Sequence, residues 1–182
     1  MTGWHAKLSL AYAPSGPRTV VRFEHQGPLR VLQSLYPEGD HVCHNVLVHP
    51  PGGLVGGDTL DIQIQINAHS HGLITTPGAT RFYRSENGLA TQQVHAQLGE
   101  HTRLEWLPLE TLAYNGCHGL NQATFDMAPS AELMAWDITA LGLPNANLPF
   151  EHGQLQQHLE IQGVWLERGL IDAQDLRLLN GP

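Results

Sequence analysis

The chain has 182 residues, 41% of them hydrophobic and 14% charged, with 9 basic and 17 acidic side chains giving a formal net charge of −8. That length suits one domain with a sizeable core, and the low charged fraction with many β-branched residues excludes a disordered chain. One lysine, Lys7, and eight scattered arginines form no basic stripe for a nucleic-acid backbone or an anionic membrane surface.

The chain opens on MTGWHAKLSL, which has neither the apolar core nor the small-residue cleavage site of a secretory leader. Val20-Val21-Arg22-Phe23 is a first β-prone run, followed by turn signals at Gly27-Pro28 and Pro37-Glu38-Gly39. Residues 60–67 alternate strictly, with apolar side chains at even positions and polar ones at odd, as in a strand with one buried face. Leu73-Ile74-Thr75-Thr76 is a further short run, and residues 93–98 and 155–161 repeat the alternation more weakly. Residues 131–141 are apolar nearly all round; they read as a buried strand, with a short helix as the alternative. Short strands spaced by dense turns predict a mostly-β, antiparallel domain over 1–182, β-helix-like or layered-sheet in architecture, with very few helices and no evident repeat. No apolar run reaches the roughly 18 residues of a membrane helix. Two cysteines, Cys43 and Cys117, are too few for a disulfide framework, so the expected compartment is the cytoplasm.

The densest motif is His49-Pro50-Pro51-Gly52-Gly53-Leu54-Val55-Gly56-Gly57-Asp58. Its two glycine pairs imply positive φ or closely approached backbone on either side of Leu54-Val55. No Gly-Lys-Ser/Thr follows, and a strand rather than a helix comes next, which excludes a phosphate-binding loop. By composition the segment is a tight, bulged connection between strands.

This segment is followed by Thr75-Thr76-Pro77-Gly78-Ala79-Thr80-Arg81-Phe82-Tyr83-Arg84-Ser85 and by Leu104-Glu105-Trp106-Leu107-Pro108. Cys43-His44, Ala135-Trp136-Asp137, Phe150 with Gly153, and Glu167-Arg168 come at matching places. The series resembles the UreD (UreH) urease accessory proteins. It departs from them at Arg81, Leu109 and Leu143, where the family usually has Lys, Gln and Arg. The resemblance implies a β-helix-like fold and a scaffold rather than an enzyme. Its expected partners are UreF, the GTPase UreG through UreF, and apo-urease, with nickel as a transient cargo and no tightly bound cofactor. Family members are longer, so the end at Pro182 implies a C-terminally shortened member.

Twelve histidines invite metal readings. Cys43 and His44 lie near His41 and His49; His69 and His71 are two apart; Cys117 adjoins His118. Imidazole and thiolate suit Ni²⁺, but no CxxC or HxxxH spacing predicts a closed site. Cys43 and His44 are the weaker metal candidates. A metal in transit must leave as well as enter, which favours carboxylates and water over a thiolate–imidazole cage. Asp58, Thr80, Asp137 and Glu167 are therefore expected to line a polar passage through the β-core. The competing assignment for these acids is turn capping or satisfaction of buried N–H groups. Leu54, Val55, Trp106 and Leu107 are the expected partner-binding residues. Glu105 and Glu110, five apart, have no accompanying nucleophile and read as structural. The alternative function is a metal-dependent enzyme on a His-rich β-fold, using His44, His49 and a carboxylate, or a non-functional remnant.

Overall fold

The computed structural model describes residues 3–179; the leader reading at Met1-Thr2 and the chain end at Asn180-Gly181-Pro182 lie outside them. Strands β1 (His5–Ser15) and β2 (Arg18–Gln26) form a hairpin, and β3 (Arg30–Leu35) pairs antiparallel with β4 (Val42–Val48). The chain then winds through β5 (Thr59–Ile66), β6 (His71–Thr75), β7 (Thr80–Phe82), β8 (Ala90–Leu98), β9 (Arg103–Leu107) and β10 (Thr111–Ala113). It continues through β11 (Cys117–Met127), β12 (Glu132–Ala135), β13 (Thr139–Leu141) and β14 (Gly153–Ile161), and turns back in β15 (Trp165–Asp172). A four-residue helix, α1 (Leu176–Leu179), and a 3-10 turn at Pro144–Ala146 are the helical elements among the described residues.

Every third strand from β5 onwards lies beside its predecessor. The three sheets run β15-β14-β11-β8-β5-β1-β2, β12-β9-β6-β4-β3 and β13-β10-β7. The chain is thus a three-sided β-solenoid, and Thr59, Thr91, Leu120 and Gln156 stand side by side in successive coils. Each coil takes up about 30 residues, within the range of solenoid repeats.

The mostly-β, β-helix-like expectation is met, whereas the direction of pairing differs from the expected one. Between the strands described, antiparallel pairing joins β1–β2, β3–β4 and β14–β15, and the coils pair in parallel. Alternation reports which face of a strand is buried, and that is the same for both directions. The repeat is structural: coils share inward and outward positions, not residues.

Inward side chains fill the solenoid. Leu8, Leu10, Tyr12, Leu60, Ile66, Ile74, Phe82, Leu104, Phe125 and Leu155 are all buried. Residues 131–141 form two short strands, not a helix, and they are not buried: Met134 and Ile138 are exposed. They belong to the last coil, over which no further coil lies in the described chain.

The glycine-rich segment uses both properties of glycine. Gly52 and Gly57 have φ of 79° and 91°, while a Cβ on Gly53 would lie 2.4 Å from the Tyr83 ring and one on Gly56 2.2 Å from the Asn87 carbonyl oxygen. Between them Leu54 bridges to Phe82 and turns into the core.

Candidate functional site

Alternation carries Ala6, Leu60, Gln92, Asn121 and Gln157 to neighbouring inward positions of the largest sheet. The first two are apolar, and the column then turns to amides. Across the interior, Thr80, Thr111 and Thr139 stack in the three-stranded sheet. A buried amide or hydroxyl without a partner is costly, and the three amides pair with one another, with Thr111 or with Thr139. Gln92 Nε2 donates to Asn121 Oδ1 at 3.0 Å. Asn121 Nδ2 donates to Thr111 Oγ1 at 3.3 Å, and Gln157 Nε2 to Thr139 Oγ1 at 2.7 Å.

Asp137 enters this column from the corner between β12 and β13. Its Oδ2 accepts from Asn121 Nδ2 at 3.0 Å and from Gln157 Nε2 at 3.3 Å. Burial pushes the Asp137 carboxyl above its ordinary value; the two amide hydrogen bonds oppose that rise, and the Glu167 carboxylate nearby adds to it. Glu167 sits opposite Leu159 on β15 and is exposed. A cavity of about 10 Å³ lies between Thr80, Gln92, Thr111, Asn121 and Asp137, with Trp106 on its wall. That is room for roughly one water.

Two of the four expected passage residues, Thr80 and Asp137, therefore line one polar cavity, while Glu167 stays exposed on β15. Asp58 does not line that cavity. It is 3% exposed and accepts from the backbone N–H of Val55 at 3.0 Å and of Trp4 at 3.3 Å. This is the turn-capping role. Beside it, His49 packs against Trp4 in a tilted arrangement, with ring centroids 5.0 Å apart. Burial lowers the His49 pKa, and the Asp58 charge partly offsets this.

Cys43 and His44 are adjacent on β4 and so point to opposite faces. Cys43 is buried, with Sγ 3.6 Å from Asn45 Oδ1 and 3.5 Å from the Tyr36 hydroxyl. His44 Nε2 lies 2.9 Å from Glu38 Oε1 on the other face. The two cannot bind one ion. His69 and His71 also part: His71 Nε2 meets Glu105 Oε1 at 2.7 Å. Among the described residues, no three His, Cys, Asp or Glu side chains converge to hold a metal.

Of the expected partner anchors, Leu54 is fully buried and Trp106 4% exposed, so both are core residues in this chain. Leu107 is half-buried and Val55 is exposed. Gln92, Thr111, Asn121, Thr139 and Gln157 were not singled out by sequence. Extending the alternation of residues 94–98 back by one step places Gln92 inside, and the same parity in the next coils reaches Asn121 and Gln157. The repeated Thr-x-apolar triplets at Thr80, Thr111 and Thr139 are a second such signal.

Among known proteins, the chain matches the family model described as UreD urease accessory protein over residues 5–182. It is 64% identical over 179 residues to the urease accessory protein UreD of Variovorax paradoxus (strain S110). Against that of Albidiferax ferrireducens the identity is 63% over 179 residues. Each alignment covers 98% of this chain and 65% of the relative. The UreD of Methylibium petroleiphilum is 49% identical over 186 residues, covering 96% of this chain and 63% of that protein. The chain thus spans a little under two thirds of the length of the curated relatives it matches.

Proposed function

The chain belongs to the UreD urease accessory protein family, and on that premise we propose that it serves urease maturation as a cytoplasmic scaffold without catalysis of its own. In this reading it binds UreF, is joined to UreG through UreF, and docks on apo-urease. Nickel is its cargo, handed from the exposed Glu167 to the polar interior that Thr80 and Asp137 line. Asp58 supports the same route indirectly, by fixing the turn that leads into β5.

The observation that carries this reading is the Asp137 carboxylate, held at the solenoid interior by two amide donors to one of its oxygens. Amide carbonyls, hydroxyls and a carboxylate are oxygen donors, which bind a late divalent ion less tightly than thiolate or imidazole. A passing ion needs such sites: favourable enough to enter, weak enough to leave. The exposed Glu167 gives this interior an acidic approach.

The test replaces Asp137 by Asn and Glu167 by Gln in cells that assemble urease, and measures urease activity together with capture of UreF. Lost activation with UreF still bound supports passage. Full activation in both variants overturns it, and loss of UreF binding reassigns the acids to the fold.

A further inference from the structure

The chain carries Asn-Gly pairs at Asn87-Gly88 and Asn115-Gly116, with a third at Asn180-Gly181 outside the described residues. An asparagine before a glycine has a chemistry of its own. The glycine amide nitrogen can attack the asparagine Cγ, because glycine has no side chain to obstruct the approach and the most mobile backbone. In a folded chain the rate depends on how firmly the two reacting groups are held.

Around Asn115 both are held. Its Oδ1 accepts from the N–H of Glu151 at 3.0 Å and of His152 at 2.7 Å. The Gly116 N–H donates to the His152 carbonyl at 2.7 Å. Attack there breaks three hydrogen bonds that tie the turn before β11 to the segment before β14. Asn87-Gly88 lies in the turn between β7 and β8, and both residues are exposed. Neither the Asn87 side chain nor the Gly88 N–H has a hydrogen-bond partner among the described residues. Asn87 borders an open groove of about 480 Å³, with Trp4, Val55, Asp58, Arg84 and Glu86 also on its walls. Water therefore reaches the reacting atoms.

We propose that Asn87 is a site of spontaneous deamidation, selected over Asn115 by the fold. The Gly88 amide nitrogen gives its proton to water and bonds to Asn87 Cγ. The bond from Cγ to the side-chain nitrogen breaks, and that nitrogen leaves as ammonia after taking up a proton. One water then opens the resulting succinimide at either carbonyl. The product is aspartate at position 87, or isoaspartate with the main chain running through Cγ. Either one replaces a neutral amide by a carboxylate in a groove that already holds Asp58 and Glu86. Isoaspartate also lengthens the main chain by one carbon where the Asn87 carbonyl packs on Gly56; a Cβ on Gly56 would lie 2.2 Å from that oxygen. The modification thus remodels the face of the glycine-rich segment without an enzyme, and it does not rest on the maturation reading.

The experiment incubates the 182-residue chain in mildly alkaline buffer, folded and in urea, and follows the Asn87 and Asn115 peptides by mass spectrometry. Deamidation adds about one dalton. In the folded chain the Asn87 peptide should gain that mass at least about tenfold faster than the Asn115 peptide. In urea the two rates should converge, since the local sequence chemistry is the same. Anion exchange of the aged folded chain should resolve a more acidic species that Asn87→Gln does not form, because glutamine closes the ring far more slowly. An Asn87 that keeps its amide in the folded chain, an Asn115 that reacts as fast before unfolding, or a rate ratio unchanged by urea overturns the proposal. The readout is covalent, so this result and the urease-activation result stand or fall separately.

Discussion

Asn121 and Asp137 meet side chain to side chain at 3.0 Å inside the solenoid, the first from a central strand of the largest sheet and the second from the corner of the last coil. The contact joins a column of neutral amides to a half-buried carboxylate. Asn121 is its hub, accepting from Gln92 and donating to Thr111 and Asp137.

Asp137 makes the fold sensitive to pH in a stated direction. Its carboxyl is raised in the folded chain, chiefly by burial. The folded state therefore binds that proton more tightly than the unfolded state. Stability falls as pH rises through the interval between the ordinary aspartate value and the raised one, and stays lower above it. Asp137→Asn removes this dependence. Thermal unfolding across weakly acidic to neutral pH should show a flatter profile for the variant, with a midpoint at neutral pH no lower than that of the unaltered chain. Stability of the unaltered chain that rises relative to that of the variant through this interval would mean the two amide donors, not burial, dominate.

Asn121→Ala strands three partners at once. Gln92 loses an acceptor, and Thr111 and Asp137 each lose a donor, in a region where only about one water can enter. Leaving buried polar groups unpaired costs about 1–3 kcal/mol, so urea unfolding should show a loss of that size. Thr111→Val removes a hydroxyl from the same cluster but leaves the Asn121–Asp137 bond intact. Its loss should be smaller, about 1 kcal/mol or less. Equal losses would show that the hub is not Asn121.

Legibility in the sequence followed the physics of alternation. Residues 60–67 read correctly as a half-buried strand, because period two requires only that one face be dry. Parallel winding was invisible there, since β5 has the same inward set whether β8 runs with it or against it. Asp137 stood out as an acid within an apolar run, and the structure puts it inside. Its amide partners stayed hidden, because a lone Gln or Asn reads as solvent-facing until the parity of the whole strand is extended through it. Cys43-His44 misled as an adjacent metal pair because neighbours on a strand face opposite ways.

Asp58 separates a folding effect from a transport effect. Its carboxylate holds the Val55 and Trp4 N–H groups, so Asp58→Ala should destabilise the chain by about 1–2 kcal/mol. Asp58→Asn keeps an acceptor oxygen and should recover most of that loss. If urease activation tracks stability across the two variants, the residue acts by fixing the turn. Loss of activation in the Asn variant at full stability would instead return Asp58 to the route of the ion.

Phe82 and Gly119 interlock where the three-stranded sheet meets the largest one. Phe82 is fully buried, and a Cβ on Gly119 would lie 2.6 Å from its ring and 2.9 Å from Leu155 Cδ1. Phe82→Ala should cost about 3–5 kcal/mol, through lost burial and the cavity left behind. Gly119→Ala should cost about 1–3 kcal/mol by overpacking. The two effects should not add. With the ring removed, the methyl at position 119 enters the vacated space, and Gly119→Ala becomes less costly than in the unaltered chain. Equilibrium unfolding of the two single variants and the double variant measures that coupling. Simple additivity would mean that Leu155, not Phe82, sets the tolerance at Gly119. Since Gly119 lies two residues before Asn121 on β11, the same interlock holds the amide hub at its depth in the core.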